Sequence, residues 1–339
     1  MTDSPAVSIA VAAHNAEHEL KVFLESLCAS AYQDFEVCVC DDASTDGSAA
    51  VLKSFQNRLD LRLTRNDANR GVTQARNKAA ELARAPLLLF MDADIRVPPD
   101  TIAKLLTRLE SSGADVVEGI YSPTALDDNF FSRYYALFVH HSFLISDRPV
   151  EYNVFNAWCA LCRRQVWQRT GGHNVIEKGV EIENEAMGRR IVANGFKLLL
   201  DPAVAVDHHW GGRRKLLFIF THRIYWWVKI FFAAGWKFET SLTTPSYGLA
   251  TLCLPGALLF PFPRLRFAAA LFAAGFLAGY APFYAFACKR RGAAYLLPAV
   301  ILSACFALCA AVSAAYSAAE ELLKRVFTGA YTLDPAIFK

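Results

Sequence analysis

Two aspartates follow directly on an apolar run in the first half of the chain. Residues 87–91 have the composition of a strand buried on both faces of a parallel sheet, and Asp92 and Asp94 come immediately after them. Residues two apart in an extended chain point to the same side, so the two carboxylates can converge. Such a pair predicts a site for Mg²⁺ or Mn²⁺ shared with substrate phosphates. An acidic turn that caps the next helix is the alternative interpretation.

Other polar residues stand at similar places. Asp41 and Asp42 follow a second apolar run, where a carboxylate can accept hydrogen bonds from a nucleotide base or from ribose hydroxyls. An N-cap for the next helix is the alternative here. Arg76 lies on a helix predicted after the turn at residues 69–71, and a guanidinium there can pair with a diphosphate. A solvated surface arginine would give the same pattern.

The elements that must hold these side chains alternate between strands and helices. Apolar runs predict five strands, and amphipathic spacing predicts helices between the first four of them; the strands cover residues 7–12, 35–40, 61–64, 86–91 and 114–118. This order indicates a doubly wound, mostly parallel α/β sheet. The glycine-rich phosphate signatures G-x-G-x-x-G and G-x-x-x-x-G-K-[ST] are absent from the sequence. A nucleotide would therefore be held through a metal ion and polar groups at loop ends.

The two halves of the chain differ in composition. With 339 residues, the chain is long enough for two domains. Residues 1–212 carry 21 Lys and Arg against 28 Asp and Glu, a net charge of −7, whereas residues 213–339 carry 14 against 4, a net charge of +10. This asymmetry predicts that the second half meets a membrane or another anionic surface. Nucleic acid is not an expected partner.

The segment after residue 212 has an aromatic and basic character. Residues 213–239 mix many aromatic side chains with basic ones such as Arg223 and Lys229, which predicts an amphipathic helix in the headgroup region of a membrane. An ordinary amphipathic core helix is the alternative.

Uncharged stretches then cover residues 240–263, 267–288 and 292–319. Each exceeds the roughly 20 residues that cross a bilayer, but four prolines in the first leave it either a span or a broken helix. We therefore expect two or three transmembrane helices within residues 240–319 and a tail at 320–339. A soluble all-α domain is the alternative.

The distribution of charge and of cysteine predicts in which cellular compartment the domains are located. The basic clusters at residues 213–215 and 289–291 favour the cytoplasmic side of a membrane. The start of the chain lacks the basic n-region of a secretory signal. The nine cysteines show no framework spacing, and the one C-x-x-C, Cys159 to Cys162, lies in an apolar context, so we expect buried, reduced thiols. These observations predict a multi-pass inner-membrane protein with a cytoplasmic catalytic domain.

Four segments, in order, resemble the motifs of the family 2 glycosyltransferases that have the GT-A fold. They are residues 7–15, ending in Asn15; 41–47, Asp-Asp-Ala-Ser-Thr-Asp-Gly; 69–77, containing Arg76-Asn77; and 90–94, Phe-Met-Asp-Ala-Asp. A looser similarity continues to about residue 210, with His173 where the family has the phenylalanine of a Gly-Gly-Phe turn. The resemblance implies a Rossmann-like GT-A domain over residues 1–212, with a mixed, mostly parallel sheet flanked by helices, followed by an α-helical membrane region.

The resemblance also implies residue roles. The nucleotide sugar would be bound by Asn15, Asp42, Arg76 and Asp92. Asp94 would ligate Mg²⁺ or Mn²⁺, and His208 would be a further metal ligand or a diphosphate contact. In the family, a Glu-Asp pair after the Gly-Gly turn supplies the base that deprotonates the acceptor hydroxyl.

The sequence departs from that pattern at the catalytic base. When the chain is aligned on Arg190-Ile191, Glu183 takes the place of the family's glutamate and Asn184 that of its aspartate. An amide cannot accept the proton. Glu183 is the preferred candidate for the base. Glu181 or Glu185 in a shifted register, an impaired enzyme, and a solvated first turn of a helix are the alternatives.

The resemblance implies inverting, metal-dependent transfer of a sugar, UDP-linked by preference, to a lipid-linked or membrane-proximal glycan acceptor. The Gln-x-x-Arg-Trp motif of the family's processive synthases is absent, so single additions are expected. One alternative is a polyprenyl-phosphate sugar synthase, whose ionised acceptor needs no strong base. The other is a non-catalytic membrane scaffold that retains the fold.

Overall fold

A computed structural model describes residues 4–144, 146–174, 182–235 and 245–334 of the chain. These residues fall into two compact units. The described parts of residues 4–126 and 144–209 form the first unit, and those of residues 127–143 and 210–334 form the second.

The first unit is built on a sheet of nine strands among its described residues. The strands are β1 (Val7–Ala13), β2 (Phe35–Asp41), β3 (Leu61–Arg65), β4 (Leu87–Asp92), β5 (Ile95–Arg96), β6 (Val116–Ala125), β7 (Val150–Glu151), β8 (Cys159–Arg163) and β9 (Leu198–His208). Their order is β3-β2-β1-β4-β8-β6-β9-β5, with β7 beside β9. Strands β1 to β4 pair in parallel, as do β6 and β9. Strand β8 runs antiparallel between β4 and β6. The predicted mixed, mostly parallel sheet is confirmed.

Helices flank this sheet. The helices of the first unit are α1 (Glu17–Cys28), α2 (Ser48–Phe55), α3 (Val72–Glu81), α4 (Thr101–Ser112), α6 (Arg164–Thr170) and α7 (Glu183–Ala193), whereas α5 (Phe130–Phe143) belongs to the second unit. Side chains of β4, α3 and α7 share one hydrophobic core, in which the Phe90 and Phe155 rings meet edge to face at 5.4 Å. Helix α7 lies close to a neighbouring backbone, because a Cβ at Gly188 would stand 2.4 Å from Asn153 O. This close approach fixes the height of α7 above the sheet.

The second unit is helical. Besides α5, it contains α8 (Arg213–Phe218), a π-helical turn (Ile219–Arg223), α9 (Ile224–Ala233), α10 (Pro245–Ala257), α11 (Arg266–Arg291) and α12 (Leu296–Thr328). By length and composition, three stretches of helix are able to cross a membrane, at residues 213–233, 263–291 and 293–328. Large apolar side chains on them face outward, and Phe267, Val312 and Phe327 are each more than 70% exposed. The apolar C-terminal helices therefore fit a membrane region.

The continuous helix made of α8, the π-turn and α9 runs parallel to α12. The Phe220 ring stacks on Phe306 at 4.4 Å, and further along, Ser317 Oγ donates to Tyr225 O at 2.8 Å. At the far end, Lys229 Nζ donates to Glu321 Oε1 at 2.6 Å, and both side chains are fully buried. A buried pair of this kind fixes register between two helices, since breaking it leaves an uncompensated charge.

The first uncharged stretch of the sequence forms α10, which has 13 residues. At 1.5 Å per residue, it measures about 20 Å, less than the roughly 30 Å of a hydrocarbon core. The segment before it, residues 236–244, lies outside the described residues. The boundaries expected for the interfacial segment, the spans and the tail remain predictions.

Candidate active site

The two side chains expected to ligate a metal ion lie next to each other. Asp94 occupies the turn after β4, and His208 ends β9. Strand β5 pairs with β9 in the register Ile95 to His208, which places His208 Nε2 3.3 Å from Asp94 Oδ1. The backbone N–H of His209 also donates to Asp94 O at 3.0 Å. Two residues far apart in sequence are thus joined by the pairing of a two-residue strand.

The donor atoms of this pair suit a divalent cation. A carboxylate oxygen and an imidazole nitrogen are ligands that Mn²⁺ accepts, and carboxylates also bind Mg²⁺. Within the described ranges, three or more His, Cys, Asp or Glu side chains do not converge in a metal-binding group. The pair fits an ion whose remaining ligands are substrate phosphates and water.

A second cluster joins three of the expected site residues. Arg76 on α3 places one terminal nitrogen 2.7 Å from Asp92 Oδ1, at the end of β4, and the other 3.6 Å from Glu183 Oε1, in the first turn of α7. Burial disfavours the charged guanidinium, but the carboxylates of Asp92 and Glu183 outweigh it and raise the pKa of Arg76. Arg76, expected near a diphosphate, here holds two carboxylates together. Because Asp92 and Asp94 are two residues apart, this cluster and the metal-ligand pair meet at one strand end.

The first turn of α7 is buried. The residues Glu183, Asn184 and Glu185 are 9%, 8% and 7% exposed, so the alternative of a solvated turn is wrong for both glutamates. Glu181 lies outside the described residues. Burial, followed by the negative charges of Glu118 and Glu185, raises the pKa of Tyr152. Glu183 therefore pairs with Arg76, whereas the charge of Glu185 contributes to the raised pKa of Tyr152.

Asp42 organises the loop that leads into α3. It is 3% exposed, and its carboxylate accepts hydrogen bonds from Asn66 Nδ2 at 2.6 Å, Arg70 N at 2.9 Å and Gly71 N at 2.8 Å. Gly71 has a φ of +92°, a conformation that favours glycine. The carboxylate expected to contact a nucleotide base therefore also shapes the loop before Arg76.

Asn15 ties the loop after β1 to the loop after β2. Its Oδ1 accepts a hydrogen bond from Thr45 N at 2.7 Å, and its own N–H donates to Ser44 Oγ at 3.0 Å. Asn15 and Ala43 both have left-handed backbone, with φ of 48° and 58°. Left-handed residues other than glycine cost of the order of 1 kcal/mol each and concentrate at functional sites. Strain at these neighbouring loop ends is a structural signal of a binding site.

The sequence indicated no role for two polar side chains, Glu118 and His173, that lie in the core beside this site. The carboxyl of Glu118 is fully buried and accepts a hydrogen bond from Asn156 N at 2.9 Å; burial raises its pKa well above the ordinary range. The imidazole of His173 lies edge-on to Phe90 and Phe155, with ring centroids 5.3 and 5.6 Å away. Apolar patterning predicted the strand that contains Glu118, and the family resemblance placed His173 in the turn at residues 171–173, but neither indicated that these two polar groups lie buried in the core.

His173 is expected to make the first unit sensitive to acid. Burial and then the charges of Arg76 and Arg190 hold the pKa of His173 well below its ordinary value. In the unfolded chain the imidazole of His173 binds a proton as the pH falls through about 6.5, whereas in the folded chain it stays neutral. The free energy of unfolding therefore decreases as the pH drops below that value. We expect His173→Phe to remove a penalty of about 2 kcal/mol at pH 5, with little change at pH 8. Urea unfolding at both pH values measures this, and equal midpoint shifts at the two would contradict it.

Comparisons with known proteins identify a family for the first half of the chain. Residues 8–171 match the family model described as Glycosyl transferase family 2. The chain is 36% identical over 115 residues to "Uncharacterized glycosyltransferase YfnE" of Bacillus subtilis, which covers 34% of this chain and 29% of that one. It is 23% identical over 197 residues to "UDP-Glc:alpha-D-GlcNAc-diphosphoundecaprenol beta-1,3-glucosyltransferase WfaP" of Escherichia coli, covering 56% of this chain and 72% of that one. The chain thus spans less than a third of YfnE.

The fold has a solved counterpart. The structure described as mannosyltransferase PcManGT from Pyrobaculum calidifontis in complex with GDP-Man and Mn²⁺ superposes with a TM-score of 0.59 at 21% identity, covering 93% of this chain and 88% of that one. At this identity, the likeness establishes the fold. The resemblance seen in the sequence is confirmed: the chain carries a glycosyltransferase domain of family 2 with the GT-A fold.

Proposed function

We propose that this protein transfers one sugar at a time, with inversion, from a UDP-sugar to a lipid-linked or membrane-proximal glycan acceptor. The observation that supports it is the meeting of two clusters at the end of β4. Arg76, Asp92 and Glu183 form one, and Asp94 with His208 forms the other. The arrangement combines a carboxylate that can act as a base (Glu183), the guanidinium of Arg76 and two side chains that can ligate a metal ion (Asp94 and His208). Together these groups suit the transfer of a phosphate-activated group.

The proposed roles follow from position. Asp94 and His208 would hold Mg²⁺ or Mn²⁺, which neutralises charge that develops on the leaving diphosphate. Asp42 and Asn15 shape the loops around the nucleoside. Glu183 accepts the proton of the acceptor hydroxyl as that oxygen attacks the sugar carbon from the side opposite the diphosphate. Arg76 keeps Glu183 in place and compensates its charge in a buried setting.

The lipid-linked acceptor is supported by two observations. One is the set of three long apolar helices, with their outward-facing Leu and Phe side chains. The other is that the relative WfaP is named for transfer to a diphosphoundecaprenol-linked sugar. We propose the inner membrane as the location, because that is where such acceptors and a cytoplasmic sugar nucleotide can meet.

The orientation we propose rests on helix direction. If residues 213–233 and α12 both cross the bilayer, their parallel alignment puts Arg213 and Leu296 on one side. The basic clusters 213–215 and 289–291 then lie together, as the positive-inside rule requires of a cytoplasmic face. Residues after Glu321 would lie on the opposite side.

A comparison of cells with and without the gene tests the function. We expect mass spectrometry of extracted lipids to show a lipid-linked glycan that lacks one sugar in the deletion strain and is restored by the wild-type gene. Restoration by the Glu183→Gln variant would contradict the proposal. An unchanged lipid profile together with an unchanged surface glycan would contradict both acceptor classes.

A polyprenyl-phosphate sugar synthase is the second candidate, and Asn184 favours it. Asparagine stands where the family has an aspartate, and a lipid phosphate that is already ionised needs no strong base. Transfer to bare polyprenyl phosphate from UDP-Glc, UDP-GlcNAc or GDP-Man would identify this activity. Nucleotide binding without turnover of any of these donors would instead favour a non-catalytic scaffold.

A further inference from the structure

The turn after α6 is held from both sides by polar side chains. From α3, Asn77 Nδ2 donates to His173 O at 2.8 Å, and Asn77 Oδ1 accepts from His173 N at 2.9 Å. From α7, the two terminal nitrogens of Arg190 donate to Thr170 O at 3.0 Å and to Gly172 O at 2.6 Å. Four hydrogen bonds thus join two helices to one turn, which we call the 170–173 turn.

This turn fits closely between its partners. Gly172 has a φ of +72°, and a Cβ built there would lie 2.8 Å from Asn77 Oδ1 and 3.0 Å from Trp167 Nε1. Burial lowers the pKa of Arg190, which means that its guanidinium loses favourable hydration in the folded chain. The hydrogen bonds to the two carbonyl oxygens compensate for part of that loss. A planar guanidinium can donate hydrogen bonds to two carbonyl oxygens at once, which a lysine ammonium cannot do in the same geometry.

The two residues that hold the turn are linked to the candidate catalytic cluster through their own helices. Asn77 directly follows Arg76 on α3, and Arg190 lies two turns after Glu183 on α7. Positions seven apart fall on the same side of a helix, so Arg190 anchors the side of α7 that carries Glu183. Arg76 and Glu183, 3.6 Å apart, thus stand on two helices that both bind the same turn.

Building on the function proposed above, we propose that Asn77 and Arg190 are positioning residues: through the 170–173 turn they hold α3 and α7 at the separation that places Glu183 against Arg76. Neither touches the reacting atoms. Their effect on transfer passes through Glu183, so it should disappear when Glu183 no longer accepts a proton.

A double-mutant cycle on the full chain in nanodiscs tests this. With whichever of UDP-Glc, UDP-GlcNAc and GDP-Man the wild type turns over, Asn77→Ala should lower kcat about tenfold and change the donor KM less than about twofold. In the Glu183→Gln background, the same substitution should change the residual rate less than about twofold, since a shared route makes the effects non-additive. Arg190→Lys should behave like Asn77→Ala. Asn77→Asp keeps the acceptor for His173 N but sets a second oxygen against His173 O, so it should lose at least as much as Asn77→Ala.

Asn194→Ala is the matched control, because Asn194 caps α7 on the exposed side by donating to Arg190 O. It should leave kcat unchanged. Equal losses from Asn77→Ala in both backgrounds would mean a general effect on folding and would overturn the positioning role.

Hydrogen exchange supplies a readout that does not depend on transfer. Amides at the start of α7 should exchange faster in Asn77→Ala than in the wild type, and no faster in Asn194→Ala. Unchanged exchange would overturn this inference even if transfer is observed. If exchange is faster in Asn77→Ala but the wild type turns over no donor, the role of Asn77 in holding α3 and α7 through the 170–173 turn is supported. Only the proposed function is then contradicted.

Discussion

Glu183→Gln is expected to lower kcat for sugar transfer by about 100- to 10,000-fold, the usual contribution of a general base. Glutamine has the same shape but cannot accept the acceptor's proton. The donor KM should change little, because the carboxylate acts on the acceptor hydroxyl. Initial rates of UDP or GDP release with a lipid extract as acceptor measure the effect.

Glu185→Gln is the matched control for this substitution. It changes the same chemical group two residues away in the same buried turn, and the charge that it removes contributes to the raised pKa of Tyr152. We expect it to retain transfer. If Glu185→Gln abolishes transfer while Glu183→Gln retains it, the base has been assigned to the wrong glutamate.

Asp94→Ala is expected to lower transfer by about a hundredfold or more, corresponding to roughly 3 kcal/mol of lost charge stabilisation. The carboxylate supplies both a ligand and the negative charge that retains the cation beside a diphosphate. His208→Ala should be milder, because it removes a neutral ligand and leaves that charge in place. Activity measured against Mn²⁺ concentration should therefore show partial rescue of His208→Ala at high Mn²⁺ and none for Asp94→Ala.

The exposed residue Asp34 provides the control for these two variants. Asp34→Ala removes the same charge from the residue immediately before β2 and should leave the Mn²⁺ dependence unchanged. Treatment with EDTA should abolish wild-type transfer, and added Mn²⁺ or Mg²⁺ should restore it. Full activity of Asp94→Ala in EDTA would contradict the proposed metal site.

The sequence was most informative where function depends on strand ends. Asp42, Asp92 and Asp94 follow apolar runs, and such runs form parallel strands whose carboxyl ends meet at one edge. Local patterning therefore predicted both the strands and the edge at which these residues lie. The family resemblance then added Glu183 and His208, which local patterning could not connect to that edge.

Tertiary pairing accounts for what the sequence could not reveal. The contact of Arg76 with Glu183 depends on how α7 packs, and α7 packs as it does because Gly188 admits the backbone of residue 153. The bonds from Asn77 to His173 join residues that no sequence period relates. Helix α5 was missed because it lies between strands of the first unit in sequence but belongs to the helical unit.

The segment at residues 213–233 illustrates a different limit. Its mixture of aromatic and basic residues is typical of a helix at a membrane surface, but the structure buries Lys229 against Glu321 and pairs the helix along α12. Composition does not reveal that a charged side chain has a buried partner 92 residues later. The contacts between residues 213–233 and α12 define the register of these two helices, which hydropathy alone cannot predict.

Acceptor-dependent sugar transfer by the purified full chain tests the central claim most directly. The protein in nanodiscs would be given UDP-Glc, UDP-GlcNAc or GDP-Man with Mn²⁺ and a lipid extract from the deletion strain, and the lipids would be analysed by mass spectrometry. We predict that one lipid-linked species gains the mass of a single sugar with the wild type, and that in the same time Glu183→Gln yields about 1% of that product or less. Nucleotide binding with no mass gain from any donor, or an equal gain with Glu183→Gln, would contradict the account.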